Sequence, residues 1–485
     1  MHSNTPLHLL RAHHIASQVA CGKLRAVDLV THVLERITVL DPALNAMVDV
    51  DREGALVQAA LVDRRAVAGE HLPLLGVPFT VKDNLWVGQR PATCGSALFS
   101  GHVAPRDAWC VARLKAQGAI CIGLTNCSEF ACKGVTSNPL HGTTHNPWRA
   151  DLTPGGSSGG SVASVAAGFA PIALSTDSGG SVRRPAAHTG LVGFKCTTGL
   201  IPHPWGFDEP GHDLSSIGLV ARDVLDCALM LDVLVDFDAR DPLSHRLPAE
   251  LTVPRGFTRV VSKIPERSLR IAWSADLGCG FAVDDDVAAA MQTAVMQLRA
   301  NGWRIDNVSP AWPDGTANYP LLMQQHATLA ALYGAAWRDA PQRFDPAIAA
   351  QIEAGMDISA AALAALPFKR NRLRAALADF FEHYDLLLCP TVPVEPWPCD
   401  KIAPNTIGGR AADTRAHAVF TPLFNQCDVP ALSVPCGFGA QRLPLGLQVV
   451  GPRYADLRVL QFGAEIERVI DTDFTAPLML VPLAG

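Results

Sequence analysis

Two glycine-serine clusters stand close together in this chain, Gly155-Gly156-Ser157-Ser158-Gly159-Gly160-Ser161 and Gly179-Gly180-Ser181. Glycine permits backbone conformations and close approaches that a Cβ forbids, at an entropic cost of about 0.5–1 kcal/mol inside an element, so such clusters ask for a reason beyond core packing. A serine hydroxyl is a weak nucleophile: it needs a base to take its proton and preorganised donors to hold the oxyanion it creates. In Asp177-Ser178-Gly179-Gly180-Ser181, peptides around two central glycines can turn their N–H groups toward one point and form a nest beside Ser181. A tight strand-to-helix turn reads equally well from these residues alone. The base that fits is Lys82, which closes the apolar run Leu75-Gly76-Val77-Pro78-Phe79-Thr80-Val81. A lysine taken out of water is less stable as an ammonium, its pKa falls, and the neutral amine can accept a proton, as in serine–lysine variants of the catalytic triad. A solvated Lys82, or one paired with Asp83, is the alternative.

The elements that must position these residues follow a strand–helix–strand rhythm. Helical spacing over 7–39 predicts two amphipathic helices; 44–50 reads as a strand, 53–68 as a helix, 75–82 as a buried strand, 108–117 as a helix and 120–124 as a strand. Ser157 to Gly168 is expected as a helix of small residues, Pro171 to Ser175 as a buried strand, and Thr176 to Ser181 as the loop beyond its C-terminal end, where open α/β sheets place their chemistry. Strands at 191–194, 269–273, 303–308, 386–388, 431–435 and 445–450 and helices at 223–235, 284–300 and 456–470 complete the pattern. The polar, proline-bearing stretch 237–268 reads as a surface excursion, 392–412 as a loop, and the alanine-rich 317–382 as helices covering the sheet or lining the substrate entrance. The fold class is therefore α/β, with 1–485 read as a single domain around one sheet.

Composition narrows the function. With 48% hydrophobic and 18% charged residues the chain can bury a large core, and its net charge of −6 carries no basic block, which excludes nucleic acid and a charged membrane surface as partners. A small or neutral substrate fits better. The N-terminus MHSNTPLHLLRAHHIAS lacks the regions of a secretory signal and no apolar run reaches membrane-span length, so a soluble, cytoplasmic protein is expected. Thirteen cysteines include no CxxC pair and no cluster with zinc-ligand spacing, so they read as reduced thiols and no metal is expected.

These residues resemble the amidase signature family. The region 154–187 matches the family signature almost position for position, as do Gly76-Val77-Pro78 leading to Val81-Lys82-Asp83, Thr125-Asn126 with Ser128-Glu129-Phe130, and Gly142 with Asn146-Pro147-Trp148. Gly193-Phe194-Lys195, Asp385 to Leu388 with Pro390-Thr391, Phe424-Asn425, Pro430-Ala431-Leu432-Ser433-Val434-Pro435 and Leu445-Gly446-Leu447-Gln448 extend the resemblance over residues 7–470. It implies a single large mixed β-sheet sandwiched by helices and a Ser-Ser-Lys triad: Ser181 as nucleophile, Ser157 as proton bridge after a cis peptide from Gly156, and Lys82 as base. It further implies an oxyanion hole from the N–H groups of Ser178, Gly179, Gly180 and Ser181, loop support from Ser158, Asp177 and Arg183, no cofactor, a small-molecule amide as substrate and a possible homodimer. Arg184, where many relatives carry an apolar residue or glutamine, is a tentative substrate-binding residue for a polar or carboxylate-bearing group; a solvated or ion-paired arginine reads equally well. Cys196, Leu124 and Ser175 depart from the family pattern without touching the triad, and Cys127 and Cys132 are expected near the pocket wall. Trp205, Phe207, Tyr319 and Met323 are expected either to give the pocket an apolar or aromatic lining or to be core.

Three rival readings stand beside this one. Gly156-Ser157-Ser158-Gly159-Gly160 satisfies the G-x-S-x-G pattern that in an α/β-hydrolase would make Ser158 the nucleophile, but no downstream histidine stands in a matching context. The glycines could cradle phosphate, yet no Gly-Lys-Ser/Thr follows. Within the family, the chain could be the glutamine-hydrolysing component of a tRNA-dependent amidotransferase; the segments 237–268 and 317–354 and the run Cys132-Lys133-Gly134-Val135-Thr136 favour a free-standing bacterial amidase.

Overall fold

The computed structural model describes residues 5–246 and 256–482. Its centre is one eleven-stranded mixed sheet. The strands are β1 (Met47–Val50), β2 (Pro78–Lys82), β3 (Ile120–Thr125), β4 (Ile172–Asp177), β5 (Val192–Lys195), β6 (Ser216–Ala221), β7 (Ile271–Trp273), β8 (Ile305–Asn307), β9 (Leu386–Pro390), β10 (Ala431–Phe438) and β11 (Pro444–Val450). They lie in the order β1-β3-β2-β4-β6-β5-β10-β11-β9-β7-β8. β2 runs parallel to β3 and β4, and β7 runs parallel to β8 and β9; the remaining pairs are antiparallel.

Both faces are covered, which is why strands such as β2, β4, β6 and β11 are buried at every position rather than alternately. Alternation along β4 sends Ile172 and Leu174 into the main core with Leu219 and Ala221 of β6, and Ala173 into a second cluster with Val220, Val162, Val165, Val182 and Ala186. The second cluster is made by two short helices, Gly159–Ala166 and Arg183–Thr189, whose small residues let them lie close on the sheet. Helices 224–234, 285–300 and 456–470 pack on the opposite face.

Several boundaries differ from expectation, each for a local reason. The helix Ala26–Leu44 consumes the start of the expected strand at 44–50: Asp41 accepts from the N–H groups of Ala46 and Met47, and Asn45 turns left-handed at φ 53°, so the strand begins at Met47. β6 was not expected at all, because Gly218 weakens its pattern. A Cβ at Gly218 would sit 2.4 Å from Val182 Cγ2, so the glycine is there to admit the start of the Arg183–Thr189 helix. β4 runs on through Thr176 and Asp177, and the expected helix 157–168 starts only at Gly159. The region 317–382 is three helices, Met323–Asp339, Pro346–Met356 and Ala360–His383, the last two bent by 99°. Among the described residues no single helix is long and apolar enough to cross a membrane. Of the expected excursion 237–268, residues 247–255 lie outside the described residues.

Candidate active site

The two clusters converge because parallel neighbours end on the same side of a sheet. Val81 of β2 is in register with Leu174 of β4, so Lys82, the last residue of β2, stands beside the end of β4 and the loop that follows it. The Gly159–Ala166 helix packs against both strands and brings Ser157, just before its first turn, to the same place. Lys82 Nζ donates to Ser157 Oγ at 2.8 Å and to Thr176 Oγ1 at 3.2 Å. Thr176 Oγ1 also accepts from Asn84 Nδ2 at 2.8 Å, and Asn84 reaches Glu209 at 3.1 Å. Lys82 is wholly buried, and burial pushes its pKa below the ordinary lysine value.

The glycines of the first cluster answer to close approach. A Cβ at Gly156 would lie 2.7 Å from the backbone of Val135, and one at Gly160 2.4 Å from the Asn126 carbonyl. The Gly156–Ser157 peptide is cis. Thr136 Oγ1 pins the turn, donating to the Gly155 carbonyl at 3.0 Å and accepting from the Gly159 N–H at 2.8 Å. Ser158 links the clusters: its N–H donates to the Ser181 carbonyl at 3.3 Å and its hydroxyl to the Thr176 carbonyl at 3.5 Å.

The second cluster is held from behind by a buried ion pair. Asp177 and Arg183 have no exposed side-chain surface; Arg183 Nη2 donates to Asp177 Oδ1 at 2.8 Å and Nε to Oδ2 at 3.0 Å. Arg183 also donates to Asn425 Oδ1, Gln448 Oε1 and the Thr421 carbonyl, which ties the loop to β11 and to the Pro422–Gln426 turn. Burial alone would raise the Asp177 pKa, but the Arg183 charge and the converging donors outweigh it and hold the carboxyl well below the usual carboxylate range.

One expected donor is reassigned. The Gly180 N–H, counted above toward the oxyanion hole, donates to Asp177 Oδ1 at 2.7 Å, because at φ 106° the peptide turns back onto the carboxylate that caps the loop. Ser178, Gly179 and Ser181 are left as the residues whose N–H groups could face an incoming oxyanion. Ser181 itself is 7% exposed and opens onto a small cleft lined by Cys132, Lys133, Ser178, Gly179, Arg184 and Gln325. Leu321, Leu322 and Gln325 come from the start of the 317–382 region, so that region does line the cleft.

Arg184 is buried rather than solvated, being 3% exposed, and its Nη1 donates to His417 Nδ1 at 3.2 Å. Arg415 also lines the cleft. Neither Arg415, His417, Asn84 nor Thr176 was singled out from sequence; the first two lie in a segment without motif or periodicity, and only their position in the fold reveals them. Trp205 and Phe207 line a different cavity of about 560 Å³ together with Glu209 and Asp213, and Tyr319 packs in an apolar cluster with its hydroxyl on Gln426. Cys132 borders the cleft, whereas Cys127 is buried; all thirteen cysteines are free thiols.

The Amidase family model matches residues 28–460 of this chain. The chain belongs to the amidase signature family. It is an amide-hydrolysing enzyme. The amidase is 34% identical to a Glutamyl-tRNA(Gln) amidotransferase component of Roseiflexus castenholzii over 96% of this chain and 97% of that protein. It is 33% identical to an acylamidase of Rhodococcus erythropolis over 96% of each. Among solved structures, a bacterial aryl acylamidase of the amidase signature enzymes superposes with a TM-score of 0.88 at 27% identity, over 99% of this chain and 100% of that one. The large mixed sheet flanked by helices is the fold expected from the resemblance.

Proposed function

We propose that this amidase cleaves a carboxamide C–N bond through an acyl-enzyme on Ser181, with Ser157 as proton bridge and Lys82 as base. The observation that carries the reading is the wholly buried Lys82, 2.8 Å from Ser157 Oγ. Burial favours the neutral amine. Neutral Lys82 takes the Ser157 proton while Ser157 takes that of Ser181, whose Oγ attacks the carbonyl carbon. The oxyanion is met by the N–H groups of Ser178, Gly179 and Ser181, each such donor contributing about 10²–10³ in rate. As the tetrahedral intermediate collapses, the relay returns a proton from the Lys82 ammonium through Ser157 to the leaving amine. Water, deprotonated by the same relay, then attacks the ester, and carboxylate leaves with Ser181 reprotonated. A lysine whose pKa is lowered by burial can serve first as base and then as acid in this relay.

The test is steady-state hydrolysis of a simple amide by Lys82→Ala, Ser157→Ala and Ser181→Ala. Each is expected to lose about 10³-fold or more in kcat, and the double variants to lose little beyond the worst single one, because the three act as a unit. Retention of activity by Lys82→Ala would exclude the relay and return Ser158 and an α/β-hydrolase mechanism. Because Lys82 must be neutral, kcat/KM should fall as pH drops through its lowered pKa and reach a plateau above it. The relatives named as amidotransferase components supply the second reading, a glutaminase that works with partner proteins; glutamine hydrolysis appearing only when such partners are added would establish it.

A further inference from the structure

One turn walls two spaces beside the nucleophile. Gly211 and Leu214 line the cleft over Ser181, while Glu209, His212, Asp213 and Ser215 line the neighbouring cavity of about 560 Å³. The turn is set close on the loop that presents Ser181, since a Cβ at Gly211 would stand 2.6 Å from Ser178 Oγ. Beside two histidines, the charged side chains of the cavity are all acidic: Asp208, Glu209, Asp213 and Asp241 line it, and no lysine or arginine does. Two of them are balanced. Asp213 pairs with Arg370, and Asp241 accepts from the N–H groups of His203 and Leu243 at 2.9 Å each. Asp208 and Glu209 are not, for among the described residues neither pairs with a cation. Arg106 and Arg240 lie over the Trp205 ring instead, and Arg240 pairs with Asp238.

Glu209 is tied to the reaction centre. Asn84 Nδ2 donates to Glu209 Oε1 at 3.1 Å and to Thr176 Oγ1 at 2.8 Å, and Thr176 in turn accepts from Lys82. The Glu209 charge acts on Lys82, on Cys132 at the edge of the cleft and on Tyr333. Lys82 gives it no counter-charge in return, because burial favours the neutral amine. With Nδ2 spent on two acceptors the orientation of the Asn84 amide is fixed, and its Oδ1 is left without a partner on a side chain only 2% exposed. Ser215 Oγ and His203 Nε2, in the lining of the cavity, are likewise buried without partners. A carboxylate without a cation and an amide oxygen without a donor, joined through one amide group, call for a ligand that donates and carries positive charge. A protonated amine brings three donors and no acceptor, and its hydrogen bonds to a carboxylate belong to the stronger, charge-assisted class.

We infer that Glu209 and Asn84 Oδ1 form a cation site for a protonated amine of the substrate, so that the amides cleaved carry an alkylammonium a few methylenes from the scissile bond. The inference rests on the Ser181 acyl-enzyme reading above. Ile201, Phe207 and Leu332 in the same lining receive the methylene chain. Arg184 and Arg415 in the cleft repel an ammonium and leave the cavity as its place. The amine belongs either to the acyl part of the amide or to its departing amine, with the same chemistry at Glu209.

Pairs of amides that differ only in charge test this at neutral pH, where an alkylamine is protonated. ε-Aminocaproamide against its uncharged isostere heptanamide puts the ammonium on the acyl part; N-acetylcadaverine against N-hexylacetamide puts it on the departing amine. In at least one pair the cationic amide should have the higher kcat/KM by about 10–100-fold, and the pair that shows it tells which part of the substrate enters the cavity. Glu209→Gln keeps an acceptor for Asn84 and should shrink that ratio toward one, with Glu209→Asp retaining part of it. The preferred cationic amide should also raise the thermal midpoint of the Ser181→Ala enzyme more than its neutral partner does, and this difference should vanish when Glu209→Gln is added; this readout needs no turnover. No preference in either pair, a preference that survives Glu209→Gln, or equal protection by charged and uncharged amides would overturn the inference. Should Glu209→Gln fail to fold, the wild-type pairs and the Ser181→Ala midpoints decide. These results are separate from the catalytic reading, which fails instead if amide hydrolysis survives Ser181→Ala.

Discussion

At the scale of the residue, two buried charges decide how this site works, and they are handled in opposite ways. Among the described residues Lys82 pairs with no carboxylate and its hydrogen-bond partners are hydroxyls, so burial outweighs the pull of more distant charges such as Glu209 and Asp177 and moves it toward the neutral form. Asp177 has the Arg183 guanidinium, three backbone N–H groups and the Asn425 amide around it and stays ionised. Its folded pKa lies below the unfolded value of about 4, so the stabilisation it brings is complete above that pH and is lost as pH falls toward the folded value. The thermal midpoint should therefore drop on acidification below about pH 4, and Asp177→Asn should flatten that drop. At neutral pH the same variant leaves Arg183 buried without its charge partner and should cost roughly 3–5 kcal/mol, measured by denaturant unfolding.

At the scale of the element, the loop from Ser178 to Val182 is the joint between β4 and the Arg183–Thr189 helix, and Gly180 is its tightest point. Its φ of 106° suits no L side chain well, and a Cβ there would stand 2.0 Å from Thr421 Oγ1, itself donating to the Gly179 carbonyl at 2.9 Å. Gly180→Ala should push the loop off Thr421 and shift the Ser178, Gly179 and Ser181 N–H groups together. Since a displacement of about 1 Å at a catalytic group costs on the order of 10²-fold, kcat should fall at least that far. KM should move less, which steady-state kinetics would separate. The glycines were visible in the sequence as a cluster, but their separate reasons were not. Gly156 and Gly160 face backbone from the 126–136 segment, and Gly180 faces Thr421. Such contacts are made across the fold and leave no local periodicity.

At the scale of the molecule, distant segments are tied together by an arginine that the motifs do not mention. Arg36, on the Ala26–Leu44 helix, is wholly buried and donates to the carbonyls of Ala167, Leu478, Met479 and Val481. It joins an N-terminal helix, the end of the turn after the Gly159–Ala166 helix and the C-terminal segment. Arg36→Met keeps the apolar stem but leaves those carbonyls buried without donors, at about 1–3 kcal/mol for each that water does not reach. The variant should melt earlier and be cleaved near residues 477–481 by protease before the core opens; unchanged proteolysis would show that the segment is held by its apolar contacts instead.

Apart from β6, the chain order of the sheet's strands and its covering helices, the two serine clusters and the lysine that closes β2 were legible in the sequence, because each is a local pattern of period, turn residue or motif. That Asp177 and Arg183 would support the loop was readable from the family resemblance, though not the Asn425 and Gln448 that complete their network. What only the tertiary structure decided is where charge is balanced. Whether Lys82 is buried against Ser157, 75 residues on, and whether Arg184 finds an acid or a neutral histidine, 233 residues on, depend on distant segments brought within hydrogen-bond reach, and whether a glycine N–H is free or turned onto a carboxylate depends on how its loop is held in the fold. Hydrogen bonds and desolvation act over that distance and not along the chain, so the nucleophile could be found by spacing while its electrostatic surroundings could not.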